Sequence, residues 1–391
     1  MADFGLSEQE RMIQQLAREF AEKEVRPKAA YYDESEEVPY DIIKKASQLE
    51  LAQGIFAGEG LAGVIIAEEL AWGCAGIAVA IAASGLAGAA ILGIGTPEQQ
   101  AKFLPMAFGS DGDVRLGAMG LTEPEAGSDV AAISTTAVRD GDDYVLNGTK
   151  RFITNGGIAD LHVIFATEDR SKGWGGLAAF VVEKGTPGLS EGTVWKKMGI
   201  RASHTADVIL EDCRIPAENR LGPSPTAGAE AGAAMYPAAL GALKMLERTR
   251  PSIGALALGI ARAALEYATD YAKERKQFGK PLIAHEGIGF KLADMAMAYD
   301  SARLLVHRAA WLSATGAPML RGEGSMAKCY ASDVAMKLSI EAVQICGGYG
   351  YMREFPVEKW VRDAKIFQIF EGTNEIQRLV ISRALSTAPK T

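Results

Sequence analysis

Thr135-Thr-Ala-Val-Arg-Asp-Gly-Asp-Asp-Tyr-Val-Leu-Asn-Gly-Thr-Lys-Arg-Phe-Ile-Thr-Asn-Gly156 is the stretch where a helical pattern gives way to strands. Asp140-Gly141 separates two short runs, Thr135–Val138 and Tyr144–Leu146, in the manner of a hairpin. A further strand follows Asn147-Gly148 and closes on a second Asn-Gly. Phe152 and Thr154 have the same parity, so on a regular strand they face one side. Leu161–Ala166, Leu177–Val182 and Asp207–Leu210 repeat the signal at close spacing. Short strands in this density point to a β-barrel or sandwich and not to βαβ units.

On either side of this stretch the periodicity is helical. Residues 6–30 carry the apolar stripe Leu6, Ile13, Leu16, Phe20 and Val25, with Ser7 and Glu10 spaced as a capping box and Pro27 as the stop signal. Further helices are expected over 39–50, 61–72, 75–93 and 97–108. After about residue 222 four long segments, 242–275, 284–314, 324–346 and 356–386 with a break at Gly372, read as an antiparallel bundle. The expected fold is therefore α+β and multidomain: an N-terminal helical domain over 1–115, a middle β-barrel or sandwich domain over 116–222, and a C-terminal four-helix bundle over 223–391.

The 391 residues carry 41 Lys and Arg against 49 Asp and Glu, a net charge of −8. That balance argues against nucleic acid as a partner, because phosphate contact needs a basic surface. Cys74, Cys213, Cys329 and Cys346 form no CxxC pair, which suits a reducing compartment. Met1-Ala-Asp-Phe4 opens neither a secretory nor a mitochondrial signal, so a cytoplasmic location is expected. The composition is unusual in its small residues, which include 43 glycines and concentrate in 71–95 and 227–242. Leu70 to Pro97 has no charge and is long enough to span a membrane. Its Ala and Gly give little drive into lipid, so packed core helices are expected and no membrane insertion. The 222–242 stretch reads as an extended loop or a loosely packed helix start.

No HExxH, GxSxG, Walker or strand-linked GxGxxG pattern occurs, and the four histidines are scattered, so no metal site is expected. Four other segments mix glycine, aromatics and polar side chains beyond the needs of a core. Leu121-Thr-Glu-Pro-Glu-Ala-Gly-Ser-Asp129 offers hydroxyls and free amides to an anion or a polar ring edge, and reads equally as a turn. Asn147 to Gly156 reads either as two ordinary turns or as a site where, of Phe152 and Thr154, one stacks on a planar ring while the other donates a hydrogen bond. Glu274-Arg-Lys-Gln-Phe-Gly-Lys-Pro281 closes a helix with cations, either as a charged cap or with Arg275 as a phosphate ligand. The last group is Gln344-Ile-Cys-Gly-Gly-Tyr-Gly-Tyr351 with Ile369-Phe-Glu-Gly-Thr-Asn-Glu-Ile-Gln377. There Glu371 stands between an apolar helix and the breaker Gly372, and reads either as a solvated helix-terminal residue or as a carboxylate whose desolvation raises its pKa towards general-base duty.

The joint pattern TEPxAGSD, NGxKxxITN, ERKQFGKP, QICGGYGY and EGTNEIQ, supported by Met198-Gly-Ile-Arg-Ala-Ser-His-Thr205, resembles the acyl-CoA dehydrogenase family over nearly the whole chain. The resemblance implies FAD bound between the β domain and the bundle. Leu121, Thr122, Gly127 and Ser128 would then line the flavin, with Phe152 and Thr154 flanking its ring. Arg275 and Phe278 would reach the FAD of a neighbouring subunit, close to Leu282, His285 and Ile288. Gln344 and Gly348 match the adenosine-diphosphate site, and Thr373 to Glu375 the loop beyond the base. Ser128, Glu247, Arg250, Gly372 and Arg383 match positions near the CoA thioester.

By the same resemblance Glu371 abstracts the α-proton of an acyl-CoA, flavin N5 accepts the β-hydride, and the trans-2-enoyl-CoA is formed. Electrons would then pass to electron-transferring flavoprotein, and the enzyme would be a homotetramer, or dimer of dimers, of fatty acid β-oxidation. Some family members carry the base just before the bundle arginine, but Thr249 occupies that place here and cannot serve. Phe152 and Phe370 stand where the family commonly has tryptophan and tyrosine. An acyl-CoA oxidase-like or acyl-carrier-protein-specific dehydrogenase of the same fold is the alternative, since neither acceptor nor carrier is written in short motifs. A non-catalytic binding scaffold is a further one, against which the intact Glu371 and Arg275 argue.

Overall fold

The computed structural model of the chain describes residues 5–57, 60–109, 113–223 and 236–387. Helix α1 (Glu8–Phe20) opens with the expected box: Ser7 Oγ accepts from the Glu10 amide, and Glu10 accepts from the Ser7 amide. Pro27 does not end the helical run. The chain widens into a π turn over Ala21–Val25, passes Pro27 in a 3₁₀ turn, and continues as α2 (Ala29–Ser35). Proline is tolerated there because the first turn of a helix leaves its amides unbonded.

Helices α3 (Tyr40–Gln48), α4 (Leu51–Ala57), α5 (Ala62–Ala82), α6 (Ser84–Ile94) and α7 (Pro97–Phe108) complete the N-terminal part. The uncharged run divides between α5 and α6, and α5 has a non-helical residue at Cys74. Among the described residues α5 is the one helix long and apolar enough to cross a membrane, and every residue of it is buried in protein. Its small residues allow close crossing. A Cβ on Gly259 of the helix facing it would lie 2.5 Å from the Glu68 carbonyl oxygen and 2.6 Å from the Trp72 amide.

The middle region is one seven-stranded sheet: β1 (Gly117–Gly120), β2 (Thr136–Asp140), β3 (Asp143–Thr154), β4 (Leu161–Thr167), β5 (Leu177–Glu183), β6 (Leu189–Val194) and β7 (Thr205–Pro216). The order is β1-β4-β2-β3-β7-β6, with β5 on the other side of β4. The layers β1-β4-β5 and β2-β3-β7-β6 meet at Thr136 and Thr167. Between them pack Ile164, Phe180, Tyr144 and Leu146, with the Tyr144 and Phe180 rings 5.0 Å apart. The opposite face of β4 and β5 packs Val163, Phe165 and Val181 against Ala87, Ile91 and Phe103 of α6 and α7. Burial on both faces is why Leu161–Ala166 is apolar but for the buried His162.

β1 and β6 escape a reading by pattern. β1 has four residues, two of them glycine, and β6 is an exposed edge. Helix α8 (Tyr236–Glu274), α9 (Glu286–Ala314), α10 (Glu323–Cys346), α11 (Val357–Phe367) and α12 (Asn374–Thr387) form the C-terminal bundle. Most of the expected 222–242 loop falls on residues 224–235, outside the described residues, and α8 begins at Tyr236.

Candidate active site

The fourth sequence segment becomes the turn between α11 and α12. Phe370 folds back onto Ile366 through its amide, and the backbone then turns left-handed at Glu371 (φ 56°) and Gly372 (φ 85°). A left-handed Glu is strained, so neighbours must hold it. Gln377 Nε2 donates to both the Glu371 and Gly372 carbonyls, at 3.0 and 2.8 Å. Lys328 Nζ from α10 donates to the Gly372 carbonyl at 2.8 Å and to Asn374 Oδ1 at 3.0 Å. Asn374 in turn donates to the Cys329 carbonyl, Ser332 Oγ and Asp333. Asn374 lies in the loop that the resemblance places beyond the base, whereas Lys328 belongs to no motif.

This turn projects Glu371 into a cavity of about 840 Å³ between the sheet and the bundle. Its Oε2 is buried and has no hydrogen-bond partner. Burial pushes the Glu371 carboxyl up; Arg250 and Lys328 pull it down, and burial prevails. Arg250 is held beside the turn by its own anion. Its Nη1 donates to Glu247 Oε2 at 2.5 Å and to Ser325 Oγ at 2.7 Å.

The facing wall is the end of β1 with its loop, plus a bulge of β3. Leu121, Thr122, Gly127 and Ser128 line it, together with Phe152 and Thr154. Simple alternation does not put those last two residues there. The β3–β7 register slips between Lys150 and Ile153, Phe152 is left-handed (φ 59°), and Ile153 between them lines the cavity as well. The bulge leaves the Phe152 ring exposed, edge-on to Trp195 at 5.2 Å. Below, a buried pair secures the loop: Lys150 Nζ donates to Glu123 Oε1 at 2.6 Å, and Glu123 accepts from the Ser134 and Thr135 amides. Burial alone would raise the Glu123 carboxyl, but Lys150 and these hydrogen bonds bring it down to about 2.

The cavity therefore unites Leu121, Thr122, Gly127, Ser128, Phe152, Thr154, Glu247, Arg250, Glu371, Gly372 and Arg383. Phe56 and Trp174 also line it, and neither carries a sequence signal, as each comes from a segment with no motif around it. Thr373 and Glu375 do not line it; Thr373 Oγ1 caps α12 by accepting from the Ile376 amide.

A second group lies elsewhere. Arg275 follows the end of α8, roughly 38 Å beyond Arg250 at helical rise, and its guanidinium sits 5.8 Å from the Tyr349 ring centre. Phe278 is 95% exposed at the tip of a two-residue ribbon, edge-on to His285. His285 Nε2 is 3.0 Å from the Gln277 carbonyl. Leu282 and Ile288 flank this turn; Gln344 is in the last turn of α10, and Gly348 follows it in a 3₁₀ turn with Tyr349. None of these residues reaches the cavity of its own chain.

The cavity walls fit a planar cofactor. An exposed aromatic ring and the hydroxyl-bearing Thr122, Ser128 and Thr154 stand on one side, and an unpaired buried carboxylate oxygen on the other.

Family models agree. Those described as the acyl-CoA dehydrogenase N-terminal, middle and C-terminal domains match residues 7–110, 118–213 and 241–386. The short-chain specific acyl-CoA dehydrogenase of Clostridium acetobutylicum is 44% identical over 389 residues, 97% of this chain and 98% of that protein. Among solved structures, butyryl-CoA dehydrogenase from Megasphaera elsdenii superposes with a TM-score of 0.90 at 41% identity, over 98% of this chain and 100% of that one. A chain in the electron transferring flavoprotein study of Acidaminococcus fermentans gives 0.90 at 41%, over 99% and 100%. A glutaryl-CoA dehydrogenase from Mycobacterium smegmatis in complex with FADH2 gives 0.85 at 29%, over 98% and 96%.

Proposed function

Because the chain belongs to the acyl-CoA dehydrogenase family of FAD-dependent oxidoreductases, we propose that it converts a short straight-chain acyl-CoA to the trans-2-enoyl-CoA, with Glu371 as the base. The observation that carries this reading is the buried, unpartnered Glu371 oxygen aimed into the cavity between sheet and bundle. A proton next to a thioester is weakly acidic, so a base of raised pKa beside it and donors at the thioester oxygen are what the reaction needs. The left-handed turn presents the Glu371 backbone as well as its carboxylate, and its amide is the donor assigned to that oxygen. Glu247 and Arg250 orient the substrate, and the walls of Leu121, Val130, Leu379 and Val380 exclude water. Bound FAD supplies the acceptor for the electron pair that leaves with the β-hydrogen.

Phe56 supports the short chain length. It lines both this cavity and a second one of about 830 Å³ between α4, α6 and α8. Its ring is seated where a Cβ on Gly85 would clash, so it fills the gap between the two. Phe56→Ala should join the cavities. The expected result is a rise of about tenfold in kcat/KM for octanoyl-CoA relative to butyryl-CoA, from added apolar contact. An unchanged chain-length profile would remove Phe56 from the specificity argument.

Arg275 and Phe278 belong to a partner's cofactor site in this reading, which requires self-association. Supporting it, α9 exposes Phe290, Met297, Leu304 and Trp311 at heptad spacing along one stripe. We assign a homotetramer, with electron-transferring flavoprotein as acceptor. Cysteines 74, 213, 329 and 346, all free and buried, accord with a cytoplasmic location. Anaerobic addition of butyryl-CoA should bleach the flavin, and electron-transferring flavoprotein should restore its colour faster than oxygen does. Faster recovery with oxygen would favour the oxidase-like alternative, and no bleaching with any straight-chain acyl-CoA would overturn the function.

A further inference from the structure

Lys328 is a cation with no exposed surface, on a helix whose neighbouring positions are small or apolar: Ala327, Cys329 and Ala331. A buried ammonium is costly unless it is fully hydrogen-bonded. Its two partners are both on the strained turn: the Gly372 carbonyl at 2.8 Å and Asn374 Oδ1 at 3.0 Å. Asn374 is itself tied back to α10 through Cys329, Ser332 and Asp333. Two of the three donors of Lys328 thus go to residues that follow Glu371.

We propose that Lys328 is a positioning residue for proton abstraction: it holds the left-handed turn that presents Glu371 and supplies a buried positive charge beside that carboxylate. The proposal rests on Glu371 being the base. The charged and titratable groups around the pair are Arg250 from α8, itself paired to Glu247, Glu371 from the turn, and Cys329 and Asp333 on α10. Arg250 is shared with Glu247 and Ser325, whereas among the described residues Lys328 has no carboxylate within bonding distance. Both cations favour the ionised Glu371, Arg250 the more strongly and Lys328 second. Burial lowers the Lys328 ammonium to about 8, with Glu371 pulling it upward. The cation is present at neutral pH and is lost in mild alkali.

The test uses the FAD-loaded full-length protein and its Lys328→Met and Lys328→Arg variants. One readout is kcat and KM against pH. The other does not depend on turnover: the infrared band of the protonated carboxyl, assigned by its absence in Glu371→Gln, is followed against pH. In Lys328→Met the midpoint of that band should rise by about one pH unit, the effect of removing one nearby opposite charge. Its kcat should fall roughly ten- to hundredfold while KM changes less than kcat, since positioning is lost and binding is not. Lys328→Arg should restore the midpoint and lose any alkaline limb near pH 8, because a guanidinium does not titrate there. A Lys328→Met protein with kcat within twofold of the parent and an unmoved midpoint overturns the proposal. If Lys328→Met does not fold, Lys328→Arg decides: loss of the alkaline limb upholds the proposal and its retention overturns it. Failure of the base assignment shows separately, as full activity in Glu371→Gln with the Lys328 variants still impaired.

Discussion

Glu371→Gln is expected to retain FAD and a native unfolding transition while turnover falls by about four orders of magnitude, the upper range for loss of a general base. The substitution is nearly isosteric, and the interactions that shape the turn are made by other atoms. Gln377 and Lys328 bind carbonyl oxygens of Glu371 and Gly372, and Oε2 has no partner to lose. What disappears is the ability to accept a proton. Because the native carboxyl lies above its ordinary range, the parent enzyme should lose kcat on acidification at a higher pH than a solvent-exposed glutamate would dictate. The residual activity of the variant should lack that acid limb. Flavin content and anaerobic bleaching by butyryl-CoA, measured on parent and variant together, separate chemistry from binding. A variant that still bleaches at the parental rate would show that the proton leaves by another route.

The parts of this site that sequence exposes are those in which glycine or a polar residue interrupts a regular pattern. Leu121 to Asp129, Asn147 to Gly156 and Glu371-Gly372 are all of this kind, and the structure brings them to one cavity. Their conformations were less accessible. A left-handed Glu371 or Phe152 leaves no composition signal, because the strain is held by residues distant in sequence, such as Lys328. The parity argument for Phe152 and Thr154 presumed a regular strand and met a bulge. Pro27 failed as a stop signal because it sits in the first turn of a new 3₁₀ segment, where no amide is needed. Phe56 and Trp174 enter the cavity only because whole elements are docked together, and no local pattern encodes docking. Lys328 was accessible in principle, as a lone lysine in a small-residue helical stretch.

The uncharged run is the clearest case of composition needing structure, and it leads to the largest stability effect. Helix α5 passes a length-and-apolarity test for a membrane span, yet its first turns carry Glu68 and Glu69, both buried. Arg262 of α8 binds both: Nη1 donates to Glu68 Oε1 and Glu69 Oε1 at 2.9 Å each, and Nη2 to Glu69 Oε2 at 2.6 Å. Gly259, almost one turn earlier on α8, lets the two backbones meet so that the guanidinium reaches back. Arg18 completes Glu69 at 2.7 Å, and Arg303 and the Tyr299 hydroxyl complete Glu68 at 3.2 and 2.6 Å.

Arg262→Met keeps the volume and removes the shared cation, leaving two buried carboxylates with one cation each. Breaking such a network should cost about 3–5 kcal/mol at pH 7, read as a lowered urea midpoint at fixed protein and FAD concentration. The pH dependence discriminates this mechanism from lost packing. Burial would raise the Glu68 carboxyl, but Arg262 and Arg303 hold it below its ordinary value. In the parent its contribution is therefore complete above the unfolded carboxylate range near pH ~4.3 and is lost as pH falls through the lower folded value. Without Arg262 burial prevails, the folded value moves above the unfolded one, and the ionised carboxylate becomes the destabilising form. The deficit of Arg262→Met should consequently shrink between pH 8 and roughly pH 5. The triple change Glu68→Gln, Glu69→Gln, Arg262→Met should recover a large part of it at pH 7, because no unpaired charge is left behind. A deficit that is constant with pH, or a triple variant weaker than the single one, would assign the role of Arg262 to its contact with the Trp72 ring, 5.9 Å away, instead of to charge.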